Sequence, residues 1–193
     1  KIATLVRDAR SEGVPVLLLD AGDCIHGGPL VDFRVENATG PEPMMAAMNR
    51  IGYDAMAVGN HEFSAGPAAM KGARETARFP WLAANIVRES DGKPAFQSSL
   101  AKRVGPLRIG VIGLCTPAVP FLEDSSRWAG LRFLDPVEAA RGEVERLRRA
   151  ERCDAIVVLA HTGLGAEGVP TNSDEPDENW GRRVAQSVPG IDA

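Results

Sequence analysis

Ala55-Met56-Ala57-Val58-Gly59-Asn60-His61-Glu62 is the stretch on which the fold reading turns. Four small or apolar residues in a row read as a strand buried on both faces. The glycine after them lets the backbone turn sharply, and an amide and an imidazole then leave the loop side by side. Amide oxygen and imidazole nitrogen are hard-to-borderline metal donors, and a histidine so placed can also act as an acid. Two other places in the chain follow the same pattern. Gly22-Asp23 comes after the apolar run 14–19, and His161 comes directly after the run 156–160.

Outward from these runs, strands and helices alternate. Residues 2–10 carry Ile2, Leu5, Val6 and Ala9 on one helical face. Residues 43–51 place Met44, Met45, Met48 and Ile51 at helical spacing with Gly52 just beyond, and this methionine stripe reads as core packing. Helices are also expected over 67–78, with a proline at the start, over the strongly amphipathic 136–152, and over 178–187. Strands are expected over 81–84, 108–114 and 154–160, and residues 95–103 with the Val104-Gly105 turn suggest a hairpin. Such βαβ alternation implies a mostly parallel sheet with helices on both faces. The segment 162–177 is a long polar loop, of the kind that is functional more often than accidental.

Polar residues gather just past the carboxyl ends of the strands: Asp23, then Asn60 and His61, then Asn85, Thr116 and His161. Ligands of open α/β sheets bind along that edge. Any one of these residues alone reads as a cap or a turn, but five segments converging on one edge point to a site. A net charge of −4 argues against a nucleic-acid polymer as partner. No apolar stretch approaches the roughly 20 residues of a membrane span. Cys24, Cys115 and Cys153 form no Cys-x-x-Cys and cannot all pair, so they read as small buried or half-buried thiols. No Gly-x-Gly-x-x-Gly follows a strand, which counts against a dinucleotide-cofactor enzyme.

Leu19-Asp20-Ala21-Gly22-Asp23, Val58-Gly59-Asn60-His61-Glu62-Phe63, Ala83-Ala84-Asn85, Ile109-Gly110-Val111-Ile112-Gly113-Leu114 and Leu159-Ala160-His161 form an ordered series over nearly the whole chain. The series resembles the calcineurin-like metallophosphoesterases, and within them the 5′-nucleotidase and 2′,3′-cyclic-nucleotide phosphodiesterase family. The resemblance implies a four-layer α/β sandwich with mostly parallel buried strands, holding two divalent metals at the strand ends. Mn, Zn, Mg, Fe and Ca are not distinguished. It makes Asp23 the carboxylate bridging both metals, Asn60 and His161 ligands of one of them, and His61 the catalytic histidine. It further implies a nucleotide or other small phosphoester as substrate, and a periplasmic or extracellular location.

Two departures qualify that picture. Ser64 stands where many members carry an Asp three residues after the catalytic histidine. The family's opening Asp-x-His and closing Gly-His-x-His are both missing, since the histidines are His26, His61 and His161. His26, Ser64 and Asn85 are expected as contacts to substrate or behind the ligands. Residues 1–193 are therefore expected to be an incomplete metallophosphoesterase catalytic domain, cut at both ends and without the C-terminal nucleotide-binding domain of relatives. The parent is expected to be an enzyme. The alternative is a non-catalytic fragment or binding module that keeps the fold without the full metal site. Tyr53-Asp54-Ala55, Cys153-Asp154-Ala155 and Ile191-Asp192-Ala193 share a pattern that opens a strand in the first two cases.

Overall fold

The computed structural model of the protein describes residues 1–29, 33, 41–165 and 178–193. Helix α1 (Ile2–Ser11) leads to a short strand β1 (Leu19–Asp20), then α2 (Pro43–Ile51) and β2 (Ala55–Ala57). A single turn of helix, α3 (His61–Ser64), and α4 (Gly66–Thr76) precede β3 (Trp81–Leu82) and β4 (Ile86–Arg88). The hairpin β5 (Ser99–Val104) and β6 (Leu107–Cys115) follows, then α5 (Val119–Leu122), a 3₁₀ turn at Ser125–Arg127 and β7 (Leu131–Phe133). The chain closes with α6 (Pro136–Arg149), β8 (Ala155–His161) and α7 (Gly181–Ser187).

Among the described residues the strands form three sheets rather than the one that simple alternation suggests. Strands β1, β2 and β3 are parallel neighbours in that order. In the largest sheet β6 pairs antiparallel with β5 and parallel with β8 along seven residues of β8, from Ile109↔Ala155 to Cys115↔His161. The third sheet is the antiparallel pair β4 and β7. The first and largest sheets face each other: β2 contacts β6 and β8 and β3 contacts β6, with Ala55, Leu82 and Val111 fully buried between them. Gly113 makes this approach close, because a Cβ there would lie 2.2 Å from the Leu82 carbonyl oxygen.

Helices cover the outer faces. Met45 and Met48 of α2 pack with Met56 and with Met70 and Ala73 of α4 in one core, so these two methionines of the stripe are packing, whereas Met44 is exposed. On the other side Val137, Ala140, Val144 and Leu147 of α6 and Val184 of α7 pack on Ile112, Leu114 and Ile156. The layers run helix, sheet, sheet, helix, as the resemblance implies. Asp135 begins α6 by accepting the N–H groups of Val137 and Glu138.

A repeated aspartate device fastens the backbone beside three strands, two of them at the start of a parallel pairing. Asp54 donates its N–H to the Leu18 carbonyl at 2.8 Å, and its Oδ2 accepts the Leu18 N–H at 2.7 Å. Asp154 makes the same double link to Arg108, at 2.7 and 2.6 Å. Asp192 makes it to Ile156, at 2.9 and 2.7 Å. All three copies of the pattern noted in the sequence therefore join the backbone of a neighbouring strand segment. No helix among the described residues is long and apolar enough to cross a membrane.

Candidate metal and phosphoester site

Asp23 sits three residues past β1 with φ of 64°, a left-handed conformation that few non-glycine residues adopt. What holds it there is Glu62. That carboxylate is completely buried and accepts the N–H groups of Asp23 at 2.9 Å, Cys24 at 2.6 Å and Gly59 at 2.7 Å. Burial pushes the Glu62 carboxyl above the ordinary range, against the pull of the three amides. The loop after β1 is thus tied to the loop after β2. Gly59 permits the contact, since a Cβ there would stand 2.2 Å from Asp23 Oδ1 and 2.9 Å from His161 Cε1.

With the two loops joined, the Asp23 Oδ1 atom accepts the His61 N–H at 3.0 Å. His161, at the end of β8, reaches across from the other sheet. Its Nδ1 lies 2.8 Å from the Ala21 carbonyl oxygen, and since a carbonyl only accepts, Nδ1 carries a proton. The Nε2 atom is then turned inward, 3.1 Å from Asn60 Oδ1 and 3.2 Å from Asp23 Oδ2. With a neutral ring, three lone-pair atoms from a carboxylate, an amide and an imidazole face one another with no donor among them. Either a proton on Nε2 or a cation resolves that arrangement. The donor set fits a divalent ion of borderline character.

The electrostatics of the pair follow from the same contacts. Burial raises the Asp23 carboxyl, but hydrogen bonds from His161 and the His61 amide, with the charges of both histidines, leave it below the ordinary value. The hydrogen bond to Asp23 holds the His161 imidazole above its usual value, although burial opposes this.

His61 stands beside this cluster with its side chain 43% exposed. The His26 ring stacks on it, centroids 4.8 Å apart and planes inclined by 22°. Its Nδ1 lies 3.0 Å from Ser64 Oγ, and Ser64 Oγ donates in turn to Glu123 Oε1.

Asp23, Asn60 and His161 therefore come together, with His61, His26 and Ser64 alongside. Asn85 does not join them. It is fully buried, its amide donating to the carbonyls of Cys115 and Leu134 while its oxygen accepts the Cys115 N–H. With no exposed surface it locks β4 to the end of β6. Thr116 likewise accepts the N–H of Ala118 from a buried position. The Pro170-Thr171-Asn172 part of the long loop lies outside the described residues. Glu62 and Glu123 escaped the sequence reading. Glu62 adjoins the quoted Asn-His pair, but nothing in its position signals three backbone partners. Among the described residues no group of three or more His, Cys, Asp or Glu could hold a metal.

The whole chain, residues 1–193, matches the calcineurin-like phosphoesterase family. It belongs to that family. The chain is 35% identical to the 5′-nucleotidase of Vibrio cholerae over 176 residues, covering 90% of the chain and 31% of that protein. It is 32% identical to the 2′,3′-cyclic-nucleotide 2′-phosphodiesterase/3′-nucleotidase of Yersinia enterocolitica over 205 aligned residues, covering 100% of the chain and 30% of that protein. It superposes on the calcineurin-like phosphoesterase YfkN of Bacillus subtilis with a TM-score of 0.83 and 29% identity, over 99% of this chain and 60% of the other. The chain thus spans less than a third of the length of these two curated relatives.

Proposed function

We infer that the whole protein hydrolyses phosphoesters of nucleotides with the help of divalent metals, and that the 193-residue chain taken alone keeps the fold without a complete metal centre. The observation that carries the first part is the approach of Asp23, Asn60 and His161 around one point, 3.1 and 3.2 Å from the His161 Nε2. The absence among the described residues of any larger cluster of ligating side chains favours the second. A divalent ion held by these three groups would neutralise phosphoester charge and acidify a bound water; Asp23, with two carboxylate oxygens, is the group suited to bridging a pair.

The chain's own residues do the rest. Glu62 holds Asp23 and Gly59 in register, and the Ala21 carbonyl turns the His161 Nε2 inward. His61 presents a half-exposed imidazole beside the ligands. In that place it serves as a proton donor to the departing oxygen or as a stabiliser of charge on the transferring phosphoryl group. His26, stacked on it, lines the approach. Nucleoside monophosphates and 2′,3′-cyclic nucleotides are the proposed substrates, by likeness to the relatives named above, and a periplasmic or extracellular location rests on the same likeness.

Kinetics of the whole protein with manganese against cyclic nucleotides, 5′-nucleotides, sugar phosphates and a generic aryl phosphate test this reading. A preference for non-nucleotide esters would overturn the substrate class. Calorimetry on the 193-residue chain is expected to give at most one divalent metal bound and no turnover. Two tight metals, or robust hydrolysis by that chain, would overturn the second part.

A further inference from the structure

We propose that Glu123 is a positioning residue for His61, acting through the hydroxyl of Ser64. The proposal rests on the reading of His61 as the catalytic imidazole. The three side chains form a line: His61 Nδ1 is 3.0 Å from Ser64 Oγ, which donates to Glu123 Oε1, and that same carboxylate oxygen is 3.9 Å from His61 Nδ1. Ser64 lies on the same helical turn as His61, whereas Glu123 arrives from 59 residues further on, just past α5.

Proton counting gives the line its direction. A serine hydroxyl has one proton to donate, and a carboxylate only accepts. Once Ser64 gives its proton to Glu123, its oxygen can only accept from the ring. The neutral His61 must then carry its proton on Nδ1, so Nε2, on the side away from Ser64, is the atom that takes up a second proton and can then present it to the departing oxygen. Ser64 without Glu123 could donate or accept, and both tautomers would be allowed. Glu123 removes that freedom, and with it the freedom of the ring to flip.

The position of Glu123 is itself secured. Its side chain is 12% exposed. Its backbone N–H bonds to the Val119 carbonyl at 2.9 Å, and its own carbonyl accepts the Trp128 indole N–H at 3.3 Å. Trp128 packs edge-on against Phe133, which packs edge-on against Phe63, the residue between Glu62 and Ser64. The backbone segments that carry Glu123 and His61 are thus both tied to one aromatic cluster.

The test reads the tautomer of His61 directly. The chain has three histidines, so long-range proton–nitrogen NMR of ring-labelled protein resolves each one. At a pH where the ring is neutral, the unaltered protein should show His61 protonated on Nδ1. Glu123→Ala should shift it toward the Nε2-protonated form, and Ser64→Ala, a loss of one oxygen, should do the same should the first variant fail to fold. Ser64→Asp combined with Glu123→Ala, which places a carboxylate directly against the ring, should restore Nδ1 protonation. In the whole protein, kcat should fall by about tenfold or more in Glu123→Ala at little-changed KM, as misplacement of a reacting group predicts, and recover in the double variant. An Nε2-protonated ring in the unaltered protein, or a tautomer indifferent to both single variants, would overturn the proposal. If nucleotide hydrolysis is absent altogether, the functional reading fails while the NMR still decides the role of Glu123.

Discussion

The Nε2 atom of His161 stands 3.2 Å from the Oδ2 atom of Asp23, although the two side chains leave different sheets. Their meeting depends on how closely those sheets pack and on the Glu62 clamp that turns Asp23 toward the gap. The site therefore reports on the tertiary structure, and changes far from any ligand should register in it.

Substituting either partner should weaken metal binding. Asp23→Ala and His161→Ala are each expected to reduce manganese affinity by more than about tenfold, given that even groups behind metal ligands cost that much when removed. Calorimetric titration of each variant beside the unaltered chain checks this. Unchanged affinity in both would place the metal elsewhere.

Without metal, the same pair should give stability a defined pH dependence. His161 is raised, so its contribution is complete below the unfolded value of about 6.5 and fades as pH rises through the higher folded value. Asp23 is lowered, so its contribution is present above about 3.9 and fades as pH falls through the lower folded value. The loss of stability in His161→Ala should accordingly be larger at pH 5 than at pH 9. Urea unfolding in the presence of a chelator measures it; equal losses at the two pH values would contradict the pairing.

Glu62→Gln should destabilise the chain by about 1–3 kcal/mol. The amide keeps one oxygen for three backbone donors and turns an N–H₂ toward the others. The variant should also bind metal less well, because Asp23 loses the contact that holds its left-handed conformation. Denaturant midpoints and metal titration on the same sample separate the two effects.

Two glycine substitutions should move stability in opposite directions. Gly59→Ala drives a methyl into Asp23 and His161, at a cost of about 1–3 kcal/mol. Gly142→Ala lies inside α6 with nothing within 4 Å of the added carbon, and should stabilise by about 0.5–1 kcal/mol. Thermal unfolding of both variants gives the comparison.

Residues with a strong period were legible. The helix over Pro43–Ile51 has the bounds its methionine spacing predicts, and the runs that end in Asn60 and His161 are the strands β2 and β8. The division into facing sheets was not legible in alternation alone, because Gly113 and Leu82 reveal their contact only once both strands are folded. Short strands such as Ile86–Arg88 and Leu131–Phe133 carry too few residues for a period to show. Asn85 follows a strand as Asp23, Asn60 and His161 do, yet backbone groups of β6 and of the segment after β7 take up its amide. Glu123 was invisible for a different reason: a lone acidic residue after Phe121-Leu122 has no spacing that relates it to a histidine 62 positions earlier.

The aspartates at 54, 154 and 192 bear on how the chain finds its alignment. Parallel strands meet only after long loops close, and such pairings form slowly. The partners here are 36, 46 and 36 residues apart. A slip of one residue would turn core side chains toward solvent, and it would also strand a carboxylate away from the amide that satisfies it. Asp54 and Asp154 thus penalise a mistaken alignment at the first residue of the pairing. They are checkpoints for the β1–β2 and β6–β8 seams, and Asp192 fastens the segment after α7 to β8.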